Sequence, residues 1–192
     1  MKNIPLFPLQ QPLYPGIPLD LRIFEQRYLN LVTRSLKNAE PFGIVPIISG
    51  REVGAPPDIY PWGTLVEIRD WNQLEGGLLG IRVQGDRRLH VRETAVQHDG
   101  LLTASVDILP ADEFVPVPEE YGDLLQLLEE LAEKLPLDYL KPDGNTGAAE
   151  LGWRLTMLLP LATEKRLSML EVDDSLERLD RLRDWLAAMA NG

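Results

Sequence analysis

Prolines spaced every few residues among apolar ones constrain this chain more than anything else in it. Pro5 and Pro8 interrupt Ile4-Pro5-Leu6-Phe7-Pro8-Leu9, Pro15-Gly16 follows, and Pro18 opens Pro18-Leu19-Asp20-Leu21-Arg22-Ile23-Phe24-Glu25-Gln26-Arg27-Tyr28. Proline fixes φ and removes a backbone donor, so it is excluded from helix interiors and from central strands. The opening is therefore expected to form two short strands at a sheet edge, joined by a Pro-Gly turn. The period then changes: Phe24, Tyr28, Leu31, Val32 and Leu36 recur at three and four, which predicts one face of a helix, with Phe24 and Tyr28 anchoring it.

Between Pro41 and Leu109 the pattern is that of short strands. Residues 42–48, 62–71, 78–84, 87–96 and 101–109 are rich in Val, Ile, Leu and Thr and are bounded by turn residues. Gly85-Asp86 and Asp99-Gly100 read as tight hairpins, because both residue types tolerate positive φ. With the opening pair this makes about seven mostly antiparallel strands, and closure into a small barrel would remove exposed edges.

After Pro116-Val117-Pro118 the period is helical to the end. Leu124, Leu128, Leu131 and Leu135 form one stripe up to Pro136; residues 148–159 and 163–170 predict two more helices. A last helix starts at Asp174 with Glu177 three residues on, a capping-box pattern, and turns Leu176, Leu179, Leu182, Leu186 and Met189 inward. The fold class is thus α+β: a barrel subdomain over 1–115 with one helix, then an α-helical bundle over 116–192.

Charge follows the same division. Residues 1–115 carry 11 Lys and Arg against 14 Asp and Glu, and residues 116–192 carry 8 against 16, so most of the net −11 lies in the second part. Such acidity weighs against nucleic-acid partners. Zero cysteines exclude disulfides, thiolate metal sites and cysteine nucleophiles. No apolar run is long enough for a membrane helix and no uninterrupted signal-type stretch is present, so a cytoplasmic location is the expectation.

The ordered motifs resemble the Lon N-terminal domain, the substrate-binding region of ATP-dependent protease La. The opening Leu6-Phe7-Pro8-Leu9, the Pro15-Gly16 turn and Ile23-Phe24-Glu25-Gln26-Arg27-Tyr28 carry the likeness. Phe42-Gly43-Ile44-Val45, Gly63-Thr64-Leu65-Val66-Glu67-Ile68, Gly85-Asp86-Arg87-Arg88-Leu89-His90-Val91, Gly152-Trp153-Arg154-Leu155, Leu159-Pro160-Leu161 and Leu170-Glu171-Val172-Asp173-Asp174 extend it over nearly the whole sequence. The resemblance implies a PUA-like β-barrel followed by helices, in a stand-alone bacterial form. Trp62 departs from the small aliphatic residue usual before Gly-Thr in Lon proteases.

A phosphate-binding Gly-rich loop with Lys-Ser/Thr is absent from the sequence. Ser35, Ser49, Ser105, Ser168 and Ser175 lack a setting suited to a nucleophile, and His90 and His98 lack neighbouring carboxylates at metal-ligand spacing. Adjacent carboxylates such as Glu129-Glu130 point about 100° apart on a helix and cannot clasp one atom. The expectation is a non-enzymatic protein without cofactor or metal, which binds unfolded polypeptide or a protein partner as an adaptor or regulator of proteolysis. Tyr14, Tyr60, Trp62 and Trp71 are candidates for a peptide groove, against the alternative that Trp62 and Trp71 seal the barrel ends. Arg82, Arg87, Arg88 and Arg92 are candidates for an anionic-ligand patch, against ordinary cross-strand ion pairs with acidic neighbours. That patch also supports the alternative reading, an RNA-binding PUA-like module.

Overall fold

The computed structural model describes residues 2–190. The chain forms two compact units that meet in sequence at Ala111 and Asp112.

The first unit holds seven strands, β1 (Lys2–Leu9), β2 (Pro18–Ile23), β3 (Phe42–Ser49), β4 (Asp58–Ile59), β5 (Trp62–Gln73), β6 (Leu79–Val96) and β7 (Leu102–Ile108), with helix α1 (Gln26–Asn38) after β2. The sheet runs β1-β7-β6-β5-β3-β4, and β1 also pairs with β3, so five strands close into a ring. Ile4, Leu6, Val45, Leu65, Leu89, Val91, Leu102, Ala104 and Val106 fill its core. Every pairing is antiparallel except β1 with β3.

The proline-rich β1 lies inside the ring rather than at an edge. It pairs with β7 over residues 2–5 and with β3 over 6–9, so at each register one flank has no ladder partner, which accommodates residues that lack a donor. The Pro15-Gly16 turn forms as expected: Gly16 has φ +77° and the Ile17 N–H donates to the Tyr14 carbonyl at 3.2 Å, which is the type II geometry that places glycine third.

Two expectations are corrected here. Gly85-Asp86 is not a hairpin, because β6 runs straight through it for 18 residues. Gly85 is required for close approach: the Gly16 N–H donates to its carbonyl at 2.9 Å, its own N–H donates to Ile17 O at 3.0 Å, and any Cβ would meet the Tyr14 carbonyl oxygen. The strand count matches only because this merger offsets β4, which the sequence does not announce. Asp99-Gly100, by contrast, does form the β6–β7 turn, with Gly100 at φ +82°.

Phe24 is the second correction. It precedes α1 and is 57% exposed, and Leu36 is exposed as well. Tyr28, Leu31 and Val32 do bury, and Tyr28 stacks on Phe7 with ring centroids 4.1 Å apart. Buried Arg27 completes the anchor by donating to Gly100 O at 2.8 Å and pairing with Glu25 at 3.0 Å.

The second unit contains α2 (Gly122–Glu133), α3 (Ala148–Leu158), α4 (Thr163–Met169) and α5 (Ser175–Ala190). Its first residues are held by hydrogen bonds of Asp112 and by a bridge at Pro116. Asp112 accepts hydrogen bonds from Trp153 Nε1 at 2.9 Å and Arg178 Nη2 at 2.6 Å, and Pro116 bridges to Gly147. In α5 the buried face is Ser175, Arg178, Leu179 and Leu182, while Met189 is exposed. The inward stripe is therefore rotated from the all-apolar one expected, and a cation occupies part of it. Asp174 caps the helix as the sequence predicts, its Oδ1 accepting the N–H groups of Leu176 and Glu177; Glu177 pairs with Arg181.

Candidate functional site

The four arginines do not gather. Arg82 forms a two-point pair with its cross-strand partner Asp20, both contacts at 2.7 Å, and this guanidinium holds the Asp20 carboxyl below the usual carboxylate range. Arg92 pairs with Asp107 at 2.6 Å, with the same downward effect on Asp107, and Arg87 pairs with Asp86 at 3.0 Å. Arg88 is only 5% exposed, so its side chain is withdrawn from the surface. The anionic patch is thus replaced by cross-strand and neighbouring ion pairs, since acidic side chains lie within reach of each exposed arginine.

The four aromatic candidates also disperse. Tyr14 is 1% exposed, buried beneath the turn it was expected to present, so it takes no part in a surface groove. Tyr60 is half-buried between β4 and β5, with its backbone N–H donating to Pro46 O at 2.8 Å. Trp62 packs on His90, its partner on β6, with ring centroids 4.5 Å apart. Trp71 stands at the other end of β5, nine residues away, which at about 3.3 Å per residue is roughly 30 Å. Of the four, Trp71 alone is strongly exposed, at 59%.

Around Trp71 a surface assembles that the sequence does not advertise. Among the described residues β2 pairs with β6 alone, which leaves its outer edge without a strand. Leu21, Ile81 and Trp71 share one cross-strand row of β2, β6 and β5; the adjacent rows Asp20-Arg82-Asp70 and Arg22-Gly80-Asn72 lie on the opposite face. An open groove of about 490 Å³ covers this region, lined by Leu21, Arg22, Trp71, Leu74 and Gly80 among others. A smaller cup of about 150 Å³ sits beside it, with buried Phe7, Leu9, Ile23 and Tyr28 as floor and exposed Phe24 and Val53 as walls. No residue of β6 contributes to the cup, so it lies at the unpaired edge of β2.

The loop wall is tethered: Glu52 accepts the Gln10 N–H at 2.7 Å. Burial pushes the Tyr28 hydroxyl up to about 12, so the floor is neutral at physiological pH. A third groove of about 580 Å³, between β5 and the end of α1, is walled by Lys2, Glu40, Glu67, Asp86 and Arg87 and carries no aromatic side chain. Among the described residues no group of three His, Asp or Glu is placed to hold a metal ion. Ser35 and Ser168 donate to the carbonyls of Glu40 and Lys165, and among the described residues no helix is long and apolar enough to cross a membrane.

The family model for the ATP-dependent protease La (LON) substrate-binding domain matches residues 3–188. The chain belongs to this family. The crystal structure of a Lon N-terminal domain protein from Xanthomonas campestris superposes with a TM-score of 0.81 at 35% identity, over 96% of this chain and 99% of that one. A LON peptidase N-terminal domain and RING finger protein of Schizosaccharomyces pombe is 25% identical over 97% of this chain, and the Lon protease of Cytophaga hutchinsonii is 26% identical over 91%. The chain spans 45% and 23% of these two relatives. In this LON substrate-binding domain, then, Phe24, Val53 and Trp71 give the two hollows beside β2 exposed apolar side chains, and Arg22 lines both hollows. Phe24 was legible only as a helix residue because its spacing to Tyr28 is helical; Val53 lies in a glycine-flanked loop with no periodic signal at all.

Proposed function

We propose that this protein binds unfolded polypeptide, or an extended segment of a protein partner, along the free edge of β2, and that it serves as an adaptor or regulator of proteolysis without ATPase or peptidase activity of its own. The observation that carries this reading is the juxtaposition of an unpaired strand edge with exposed Phe24, Val53 and Trp71. Edge strands recognise extended chains by backbone hydrogen bonding, with neighbouring hollows taking alternate side chains. Membership of a substrate-binding family supports it. The closed five-strand ring with α1 fits the PUA-like barrel that the sequence suggests, and the helices from α2 onward are read as the accompanying bundle. RNA binding is not favoured, because the arginines proposed for it are ion-paired or buried.

Fluorescence anisotropy with a labelled, permanently unfolded model polypeptide tests the reading. Saturable binding is expected, with Kd on the order of tens of micromolar. Trp71→Ala and Phe24→Ala should each weaken it roughly three- to tenfold, the effect of losing part of an apolar contact. An absence of saturable binding, or variants that bind like the parent, would overturn it.

A further inference from the structure

The outer edge of β2 has a defined hydrogen-bonding register. The Gly85 N–H donates to Ile17 O at 3.0 Å, and backbone groups alternate sides along a strand, so Leu19, Leu21 and Ile23 direct theirs to β6. Pro18, Asp20 and Arg22 direct theirs outward, where no described strand meets them. Pro18 has no N–H to offer there, which suits an edge. Side chains alternate as well: Leu19, Leu21 and Ile23 share the face of Ile81 and Trp71, and exposed Asp20 and Arg22 share the other.

This order of residues is complementary to itself about Leu21. When a second β2 is laid antiparallel along the edge with Leu21 opposite Leu21, Asp20 faces Arg22 of the second copy and Arg22 faces its Asp20, while Leu19 and Ile23 face each other on the apolar side. Both charged pairs fall where the N–H and C=O groups point outward, so each is also a hydrogen-bonded pair of the ladder. Sliding the second strand by one residue sets charged side chains against apolar ones. Sliding it by two sets Asp20 against Asp20 or Arg22 against Arg22.

The neighbouring strands agree with this register. The row Trp71-Ile81-Leu21 of one copy continues into Leu21-Ile81-Trp71 of the other, which brings the apolar surfaces of both together. Asp20 already holds Arg82 through two contacts at 2.7 Å, and a carboxylate has about four acceptor sites, so a second guanidinium can be added. Each copy supplies one charge of either sign at the joint, so the match needs no net charge along the edge.

We propose that two copies of this chain associate through β2, antiparallel and centred on Leu21, in a twofold dimer that masks the edge assigned above to polypeptide, so that client and second copy compete for it. The competition rests on the polypeptide-binding reading; the pairing itself does not.

Sedimentation equilibrium at about 0.15 M salt, where the screening length is about 8 Å, tests the pairing. A reversible monomer–dimer equilibrium is expected with Kd on the order of 0.1 mM, as fits a small joint with exposed ion pairs. Arg22→Asp and Asp20→Arg should each weaken it about tenfold or more, because like charges then oppose each other at both charged positions. Circular dichroism of both variants should match the parent, since both side chains are exposed. An equimolar mixture of the two variants should associate again, to within about threefold of the parent, because each then faces opposite charges. Excess unfolded polypeptide should convert the parent dimer to a client-bound monomer. A parent that stays monomeric to about 1 mM, an Arg22→Asp variant that dimerises like the parent, or a mixture no tighter than either variant alone would overturn the pairing. A dimer that keeps its Kd while polypeptide binds would overturn the competition. Polypeptide binding by a chain that stays monomeric sinks the pairing alone, and a dimer that binds no polypeptide sinks the broader reading and the competition but not the pairing.

Discussion

Replacing Asp112 with alanine should destabilise the helical unit more than replacing its partner Arg178 with methionine. Arg178 is fully buried: Nη2 meets Asp112 at 2.6 Å, Nη1 donates to Val172 O at 2.8 Å, and the guanidinium lies 4.1 Å from the centre of the Trp153 ring. Asp112 retains 15% exposure and is also bonded by the Trp153 indole. Asp112→Ala takes the carboxylate away from a buried cation and an indole N–H, a cost of about 3–5 kcal/mol. Arg178→Met leaves an unpaired carboxylate that water and the indole still reach, and restores apolar volume, so about 2 kcal/mol is expected. The double variant holds no buried charge and should cost less than the sum, by about 2 kcal/mol. Urea unfolding followed by tryptophan fluorescence reports this directly, because Trp153 sits in the cluster; at a slope of 1–3 kcal/mol/M the single Asp112 variant should lose roughly 1–5 M in midpoint. Equal costs for the two single variants, or strict additivity, would refute the view that the ion pair is held by its desolvation penalty.

Three further outcomes follow from other parts of the molecule. Tyr28 is protonated in the folded state up to about pH 12 against an ordinary value of 10.0, so its stabilising contribution is complete below pH 10 and is lost as pH rises towards 12; Tyr28→Phe should flatten that part of the alkaline stability curve by roughly 2–3 kcal/mol, measured by chemical denaturation at stepped pH. Gly85→Ala would drive a methyl group against the Tyr14 carbonyl and should cost at least about 2 kcal/mol and lower the thermal midpoint, whereas a turn glycine with open space, Gly54, changed to asparagine should cost under about 1 kcal/mol. Asp174→Ala removes the acceptor for two helix N–H groups and should cost about 1 kcal/mol in the same urea assay, with Asp174→Ser largely restoring it.

Much of the backbone was legible because its signals are local. The type II turn at Pro15-Gly16, the hairpin at Asp99-Gly100 and the starts of α3, α4 and α5 depend on the φ preferences of proline and glycine, on helical spacing and on a capping aspartate. The site was far less legible. Trp71 is exposed as the sequence suggested, but Tyr14 is buried and Trp62 lies at the opposite end of the strand. Phe24 shares the helical spacing of Tyr28, yet it sits outside α1 and faces solvent.

The amino-acid sequence by itself settled the order of strands before helices, the family, and the turns that glycine and proline dictate. Tertiary structure alone decided that Gly85 is a point of contact rather than a turn, that three of the four arginines pair with separate carboxylates while Arg88 is buried, and that Arg178 is buried against Asp112. It also decided which strand keeps a free edge. A residue's conformational preference is written in its own chemistry, whereas its exposure and its charge partner depend on what a distant stretch of chain brings alongside it.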